Sequence, residues 1–143
     1  MQKTILIVDD DSDDRDLFTQ ALHEADNSVL CVYATDGHSA LSKLGEPGFT
    51  IPDYIFLDLN MPMMDGKECL VQLKKLPVIQ NVPIIVFTTS GLHEDAKATR
   101  SLGASLFFTK PDIFARLVDT VKFILSENWK APHPRPLSSR RGG

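Results

Sequence analysis

The stretch that decides the fold of this chain is Tyr-Ile-Phe-Leu-Asp at residues 54–58, an apolar run that ends in a carboxylate. A second apolar run, Thr-Ile-Leu-Ile-Val at residues 4–8, is followed by three acidic residues at 9–11. Such runs are typical of buried strands, and adjacent parallel strands share a ligand-binding crevice at their carboxyl ends. Carboxylates crowded there repel each other unless a hard divalent cation joins them. We therefore predict a cation site for chemistry on Asp58, with Mg²⁺ as the expected ion.

Along the rest of the chain, strand-like apolar runs alternate with segments whose apolar residues recur at helical spacing. This alternation predicts an α/β fold, with a five-stranded parallel sheet covered by helices on both faces and connected by right-handed crossovers. We place the strands at residues 4–8, 29–34, 54–57, 83–88 and 106–109. The first of five predicted helices carries Leu17, Phe18, Ala21, Leu22 and Ala25 at helical spacing. The last carries an apolar stripe of Ile113, Phe114, Leu117, Val118, Val121, Ile124 and Leu125.

The composition is that of an ordinary globular domain. Apolar residues make up 43% and charged residues 24% of the 143 residues. No apolar stretch approaches the ~18 residues of a membrane span, and no signal peptide precedes the first strand, so we expect a cytoplasmic protein that does not enter membranes. The formal charge of −4 does not attract nucleic acid, and we expect no direct nucleic-acid binding. Cys31 and Cys69 are spaced for neither zinc nor a redox pair, which predicts buried free thiols.

We divide the chain into a domain at residues 1–130 and a tail at residues 131–143. The tail is rich in Pro, Arg, Ser and Gly, a composition typical of a flexible segment. It contains arginines and no acidic residue, so a basic arm for an anionic partner and a simple flexible terminus both stay open. No DNA-binding or catalytic module is visible after the domain, and we expect it to act alone through protein contacts.

The acidic run at residues 9–14 has the carboxylates of a calcium-binding EF-hand loop, but that loop also needs Gly at its sixth position and Glu at its twelfth. Counted from the start of the run, those positions hold Asp and Gln, so the EF-hand interpretation fails. We assign Asp9 and Asp10 to the cation site and expect residues 11–14 to cap and begin the next helix. The same carboxylates would repel the phosphate of a flavodoxin-type binder, which needs amides and hydroxyls in this loop.

Polar residues also follow the fourth and fifth predicted strands. Thr88 ends the fourth strand, and Lys110 follows the fifth. Taken singly, Thr88 could be an ordinary β-forming residue and Lys110 a solvated surface charge. Together with Asp9, Asp10 and Asp58, however, they mean that a polar residue lies at every strand end near the crevice.

This ordered set of residues resembles the receiver domain of bacterial two-component response regulators, in its stand-alone, chemotaxis-regulator-like form. The resemblance covers residues 3 to about 129 and rests on three motifs. These are Ile-Leu-Ile-Val-Asp-Asp-Asp at residues 5–11, Leu-Asp-Leu-Asn-Met-Pro-Met-Met-Asp-Gly at 57–66 and Phe-Thr-Lys-Pro at 108–111. The resemblance implies a flavodoxin-like, doubly wound five-stranded parallel sheet of order 2-1-3-4-5 with five helices.

The resemblance also implies a role for each residue of the set. Asp58 would accept a phosphoryl group from a sensor histidine kinase, with Thr88 and Lys110 completing the catalytic set. Thr88 and Phe107 would form the switch that changes the surface on phosphorylation. The bond between Lys110 and Pro111 would be cis. The implied metal ligands are Asp9, Asp10, Asp58 and the backbone carbonyl of Asn60.

The implied function is a phosphorylation-dependent signalling switch that acts on a downstream protein target or a phosphotransfer protein. Such a domain assists its own phosphorylation and dephosphorylation but is not an enzyme in the usual sense. The alternative is a Mg²⁺-dependent phosphohydrolase with an aspartyl nucleophile. Haloacid-dehalogenase-type enzymes of that kind have a second Asp as general acid where this chain has Asn60, which cannot donate and regain a proton.

Phe123 lies opposite the apolar stripe of the last predicted helix and is expected to face solvent. A single exposed apolar residue is ordinary on a protein surface. The other interpretation is that Phe123, with Arg116, Asp119 and Thr120, forms a homodimer or partner interface on the last two helices and the last strand.

Overall fold

The computed structural model describes residues 2–61, 64–89 and 93–127. Five strands alternate with five α-helices along the described chain. In chain order the elements are β1 (Thr4–Val8), α1 (Ser12–Ala25), β2 (Leu30–Ala34), α2 (Gly37–Leu44), β3 (Tyr54–Asp58), α3 (Gly66–Lys74), a short 3-10 helix (Pro77–Ile79), β4 (Ile84–Thr88), α4 (His93–Ser101), β5 (Leu106–Thr109) and α5 (Phe114–Ser126). The tail predicted at residues 131–143 lies outside the described residues.

The strands form one parallel sheet of order β2-β1-β3-β4-β5, which confirms the predicted flavodoxin-like topology. The central strands β1, β3 and β4 are buried along their whole length, because helices cover both faces of the sheet. In this register Val8 pairs with Leu57, Asp58 with Phe87, and Thr88 with Thr109. The polar residues at the strand ends therefore meet at one edge of the sheet.

Alternate strand residues point into two cores, one on each face of the sheet. Helices α2 and α3 cover the first core, and α1 and α5 cover the second. The ring of Phe18 on α1 lies 5.0 Å from that of Phe56 and 4.9 Å from that of Phe87, centroid to centroid, so an aromatic cluster anchors α1 beneath the strand ends.

Three residues predicted for the apolar helix stripes are exposed instead, namely Leu17, Ile113 and Phe114. The inward face of α1 begins at Phe18, which turns Leu17 toward solvent. Helix α5 begins at Phe114, and Ile113 is its N-cap residue, so neither side chain reaches the core that Leu117 enters. Cys69 is buried as predicted, whereas Cys31 on the edge strand is only half-buried. Among the described residues, no helix is both long and apolar enough to cross a membrane.

Candidate functional site

The ends of β1 and β3 bring three carboxylates together. Oxygen atoms of Asp9, Asp10 and Asp58 all lie within 4.8 Å of one another. Asp9 and Asp58 are buried, whereas Asp10 is exposed, so the cluster reaches from the core to the solvent. Carboxylate oxygens at this spacing are the donor set that hard divalent cations prefer, and the three residues fit such an ion.

Backbone N–H groups orient the two buried carboxylates. The N–H of Asn60 donates to Oδ1 of Asp58 over 3.1 Å, and that of Asp11 donates to Oδ1 of Asp9 over 3.0 Å. The loop after Asp58 then turns back, and the N–H of Gly66 donates to the carbonyl of Leu59 over 3.0 Å. A Cβ atom at residue 66 would lie 2.5 Å from the Cα atom of Leu59, so only glycine allows this approach.

Asp58 is hard to ionise in this setting. Burial, followed by the negative charge of Asp9, raises the pKa of Asp58 to about 7, against the opposing effects of the Asn60 N–H and of Lys110. A nucleophilic carboxylate must carry its charge. A bound cation would therefore favour the reactive form of Asp58 at neutral pH.

Thr88 is fully buried at the end of β4, and its hydroxyl accepts a 2.6 Å hydrogen bond from the side-chain amide of Asn60. The sequence predicted a metal-binding role for the backbone carbonyl of Asn60 and no general-acid role for its side chain, but it did not indicate this contact with Thr88. Phe107, on β5 beside Val86, is half-buried and packs against the core under α2 and α3. Thr88 and Phe107 thus lie on adjacent strands at the same end of the sheet.

Lys110 follows β5 and reaches across to α1. Its Nζ atom lies 2.6 Å from Oδ2 of Asp14 and 3.4 Å from Oδ2 of Asp9, and 4.8 Å from the ring centroid of Phe87. Burial lowers the pKa of Lys110, but the hydrogen bond to Asp14 and the charges of Asp9 and Asp58 outweigh it, and the net shift is upward. Lys110 is therefore a paired cation inside the site and not a solvated surface charge.

Within the acidic run at residues 9–14, one residue, Asp14, has a role that the sequence did not predict. Asp11 caps α1 as expected, because its carboxylate accepts from the N–H groups of Asp13 and Asp14 at 2.9 and 3.1 Å. Asp14, however, is more than a helix-start residue, since it holds Lys110. No sequence pattern distinguishes Asp14 from Asp13; only the packing of α1 against the end of β5 does.

Two further observations complete the site. The guanidinium of Arg15 donates to the carbonyl of Asp9 over 2.8 Å and lies 4.4 Å from the ring centroid of Tyr33. The sequence did not indicate that Arg15 supports the backbone of Asp9.

The described residues contain no cis peptide bond, so the predicted cis bond between Lys110 and Pro111 was wrong.

Comparisons with known proteins agree with this geometry. The family model of the response regulator receiver domain matches residues 5–122. The response regulator Rcp1 of Synechocystis sp. is 32% identical over 112 residues, which span 76% of this chain and 76% of that protein.

Two solved structures are similar over most of their length. The phosphorylated cyanobacterial phytochrome response regulator RcpA has a TM-score of 0.78 and 31% identity, covering 87% of this chain and 91% of RcpA. The Mn²⁺-bound form of Rcp1 has a TM-score of 0.76 and 30% identity, covering 94% of this chain and 99% of Rcp1. Receiver domains are signalling proteins of two-component systems. This chain belongs to the response regulator receiver domain family.

Proposed function

We propose that the domain is a phosphorylation-dependent switch that takes a phosphoryl group onto Asp58 from a sensor histidine kinase. The observation that carries this proposal is the buried carboxylate of Asp58 at a strand end, within 4.8 Å of the carboxylates of Asp9 and Asp10. Mg²⁺ held by these three carboxylates and the carbonyl of Asn60 would neutralise the negative charge of the phosphoryl oxygens. A carboxylate oxygen of Asp58 then bonds to phosphorus, and the phosphorus–nitrogen bond of the donor phosphohistidine breaks.

Catalysis on this proposal comes from alignment and charge balance and not from a general base, because an ionised carboxylate needs no proton removed. Lys110, whose Nζ atom lies 3.4 Å from Oδ2 of Asp9, would pair with the incoming phosphoryl oxygens. The domain thereby assists its own phosphorylation, and the later attack of water on the acyl phosphate uses the same groups.

The switch on this proposal is an exchange of hydrogen bonds at Thr88. The Thr88 hydroxyl accepts a hydrogen bond from the side chain of Asn60. A phosphoryl group on Asp58 adds about one negative charge and new acceptor oxygens, toward which the hydroxyl would turn. Phe107, half-buried on the neighbouring strand, could then repack and change the surface that partners contact.

The partners on this proposal are a sensor histidine kinase and a downstream protein target or phosphotransfer protein. Because RcpA is a phytochrome response regulator, a phytochrome-type sensor kinase is the first donor to test. The competing phosphohydrolase function is disfavoured by Asn60, whose side chain has no acidic proton to deliver and is bonded to Thr88.

Incubation with acetyl phosphate and Mg²⁺, followed by intact mass measurement, tests the proposal. The wild type should gain one phosphoryl group, and Asp58→Asn should gain none. Asp13→Asn is the matched control, because it replaces an exposed carboxylate on α1 with the same amide group. It should behave as wild type. Equal labelling of Asp58→Asn and wild type would overturn the assignment, and rapid release of phosphate with no phosphoprotein would favour the hydrolase.

A further inference from the structure

Asp14 makes the shorter of the two ion pairs of Lys110. The distance from Nζ of Lys110 is 2.6 Å to Asp14 and 3.4 Å to Asp9, and within the described chain Lys110 makes no hydrogen bond to Asp58. The backbone of Asp14 is fixed by the Asp11 cap, to which its N–H donates. Lys110 is therefore drawn toward α1.

Asp14 is also the surplus charge of the crevice. If a divalent ion is bound, it and Lys110 together would balance the charges of Asp9, Asp10 and Asp58, and the carboxylate of Asp14 would add one further negative charge. This charge opposes the approach of an anionic phosphoryl donor. The side chain of Asp14 is 37% exposed while that of Lys110 is 14% exposed, so water can solvate Asp14 when Lys110 leaves it.

We infer that Asp14 is a positioning residue that competes with the phosphoryl group for Lys110, and so weakens donor binding and shortens the lifetime of the acyl phosphate. The inference rests on the proposed function of Asp58. In the step concerned, a carboxylate oxygen of Asp58 bonds to phosphorus, and the bond from phosphorus to the acetate oxygen of acetyl phosphate breaks. Lys110 must exchange Asp14 for the phosphoryl oxygens during this step, and Asp14 recovers it when the phosphoryl group is lost.

The experiment measures phosphorylation rate against acetyl phosphate concentration, with Mg²⁺, in wild type and Asp14→Asn. Asparagine keeps the size of the side chain but removes its charge. We expect the half-saturating concentration to fall and the lifetime of the phosphorylated domain to rise, each by about 1.5-fold to fivefold, the range for a partly exposed ion pair. The difference should shrink at high salt, because screening weakens the competition. Affinity for beryllofluoride, a phosphoryl mimic, should rise by a similar factor.

Two variants separate the inference from simpler explanations. Asp13→Asn removes the same charge one residue earlier, away from Lys110, and should match wild type, whereas Asp14→Glu keeps the charge and should restore the wild-type values. Identical behaviour of Asp14→Asn and Asp13→Asn would overturn the inference and leave the proposed function standing, as would slower phosphorylation of Asp14→Asn. A wild type that takes no phosphoryl group on Asp58 would overturn the proposed function, and this inference with it.

Discussion

The side-chain amide of Asn60 donates a 2.6 Å hydrogen bond to the hydroxyl of Thr88, which joins the loop after β3 to the end of β4. Asn60 is exposed, whereas Thr88 is fully buried. Water can therefore solvate the amide of Asn60 when its hydrogen bond to Thr88 breaks. A hydroxyl held in this way can change partner without leaving a buried polar group unsatisfied, because the amide of Asn60 returns to solvent.

Thr88→Val tests whether that hydroxyl transmits phosphorylation. Valine keeps the branched shape but cannot hydrogen-bond, so we expect Asp58 to accept a phosphoryl group while the resonances of Phe107 no longer shift when beryllofluoride binds. The matched control is Thr109→Val on β5, the register partner of Thr88, whose side chain is exposed. Wild-type shifts of Phe107 in the Thr88→Val variant would mean that the surface change has another origin.

The raised pKa of Asp58 predicts how stability depends on pH in the metal-free domain. The folded carboxyl has a pKa of about 7 and the ordinary value is 3.8, so between these values the folded state binds more protons than the unfolded state. The free energy of unfolding therefore falls as pH rises through this window. Asp58→Asn lacks the group and should be more stable than wild type at pH 8 by about 2–4 kcal/mol, with the difference vanishing near pH 4.

Urea unfolding with a metal chelator at several pH values measures this difference. Mg²⁺ should reduce the stability difference between Asp58→Asn and wild type at pH 8, because a cation favours the ionised carboxylate of Asp58. A stability difference between Asp58→Asn and wild type that does not change with pH would show that the cost of ionising Asp58 is not its cause.

Metal binding should depend on Asp10 and not on Asp13. Asp10 belongs to the cluster of three carboxylates, whereas Asp13 begins α1. We expect Asp10→Ala to weaken Mg²⁺ binding at least tenfold, the scale of losing one charged ligand, and Asp13→Ala to leave it nearly unchanged. Isothermal titration with Mg²⁺ provides the measurement, and equal losses in the two variants would mean that the acidic run was divided wrongly.

Gly66 should tolerate no larger residue. A Cβ atom there would lie 2.5 Å from the Cα atom of Leu59 and 2.8 Å from the carbonyl oxygen of Asp58, both backbone atoms that cannot move independently. We expect Gly66→Ala to lower the free energy of unfolding by about 1–3 kcal/mol and to slow phosphorylation by displacing Asp58. Gly45→Ala, whose Cβ would lie 3.5 Å from its nearest neighbour, is the control and should be close to neutral. Wild-type behaviour of Gly66→Ala would contradict the role given to this glycine.

The sequence predicted the sheet and the strand ends well because both follow from local patterns. Apolar runs ending in Asp9, Asp58 and Thr88 specify buried parallel strands, and their common edge follows from the topology. The partners of Lys110 and Asn60 were missed, because they depend on how α1 and the loop after β3 pack against strands distant in sequence. Leu17 and Ile113 were misplaced for a related reason: apolar spacing marks a helix but does not fix its rotation or its first residue.

The predicted interface at Phe123 is the last expectation to test. Phe123 is 54% exposed on α5, as predicted, with Arg116 and Asp119 also exposed. Phe107 packs under α2 and α3, on the other face of the sheet from the core that α5 covers. If two domains pair through this face, each buries the exposed half of Phe123, which contributes roughly half of the ~1.5–3 kcal/mol for complete burial of such a side chain.

Sedimentation of wild type and Phe123→Ser, with and without beryllofluoride and Mg²⁺, decides between an interface and ordinary surface. We expect wild-type domains to associate more tightly in the presence of the phosphoryl mimic. Phe123→Ser should weaken that association at least tenfold, because the substitution removes one partly buried aromatic ring from each of the two domains. Val78→Ser is the control, because Val78 is 55% exposed but lies on the short 3-10 helix. Monomers in every sample, with no change in binding to a cognate kinase, would identify Phe123 as an ordinary exposed residue.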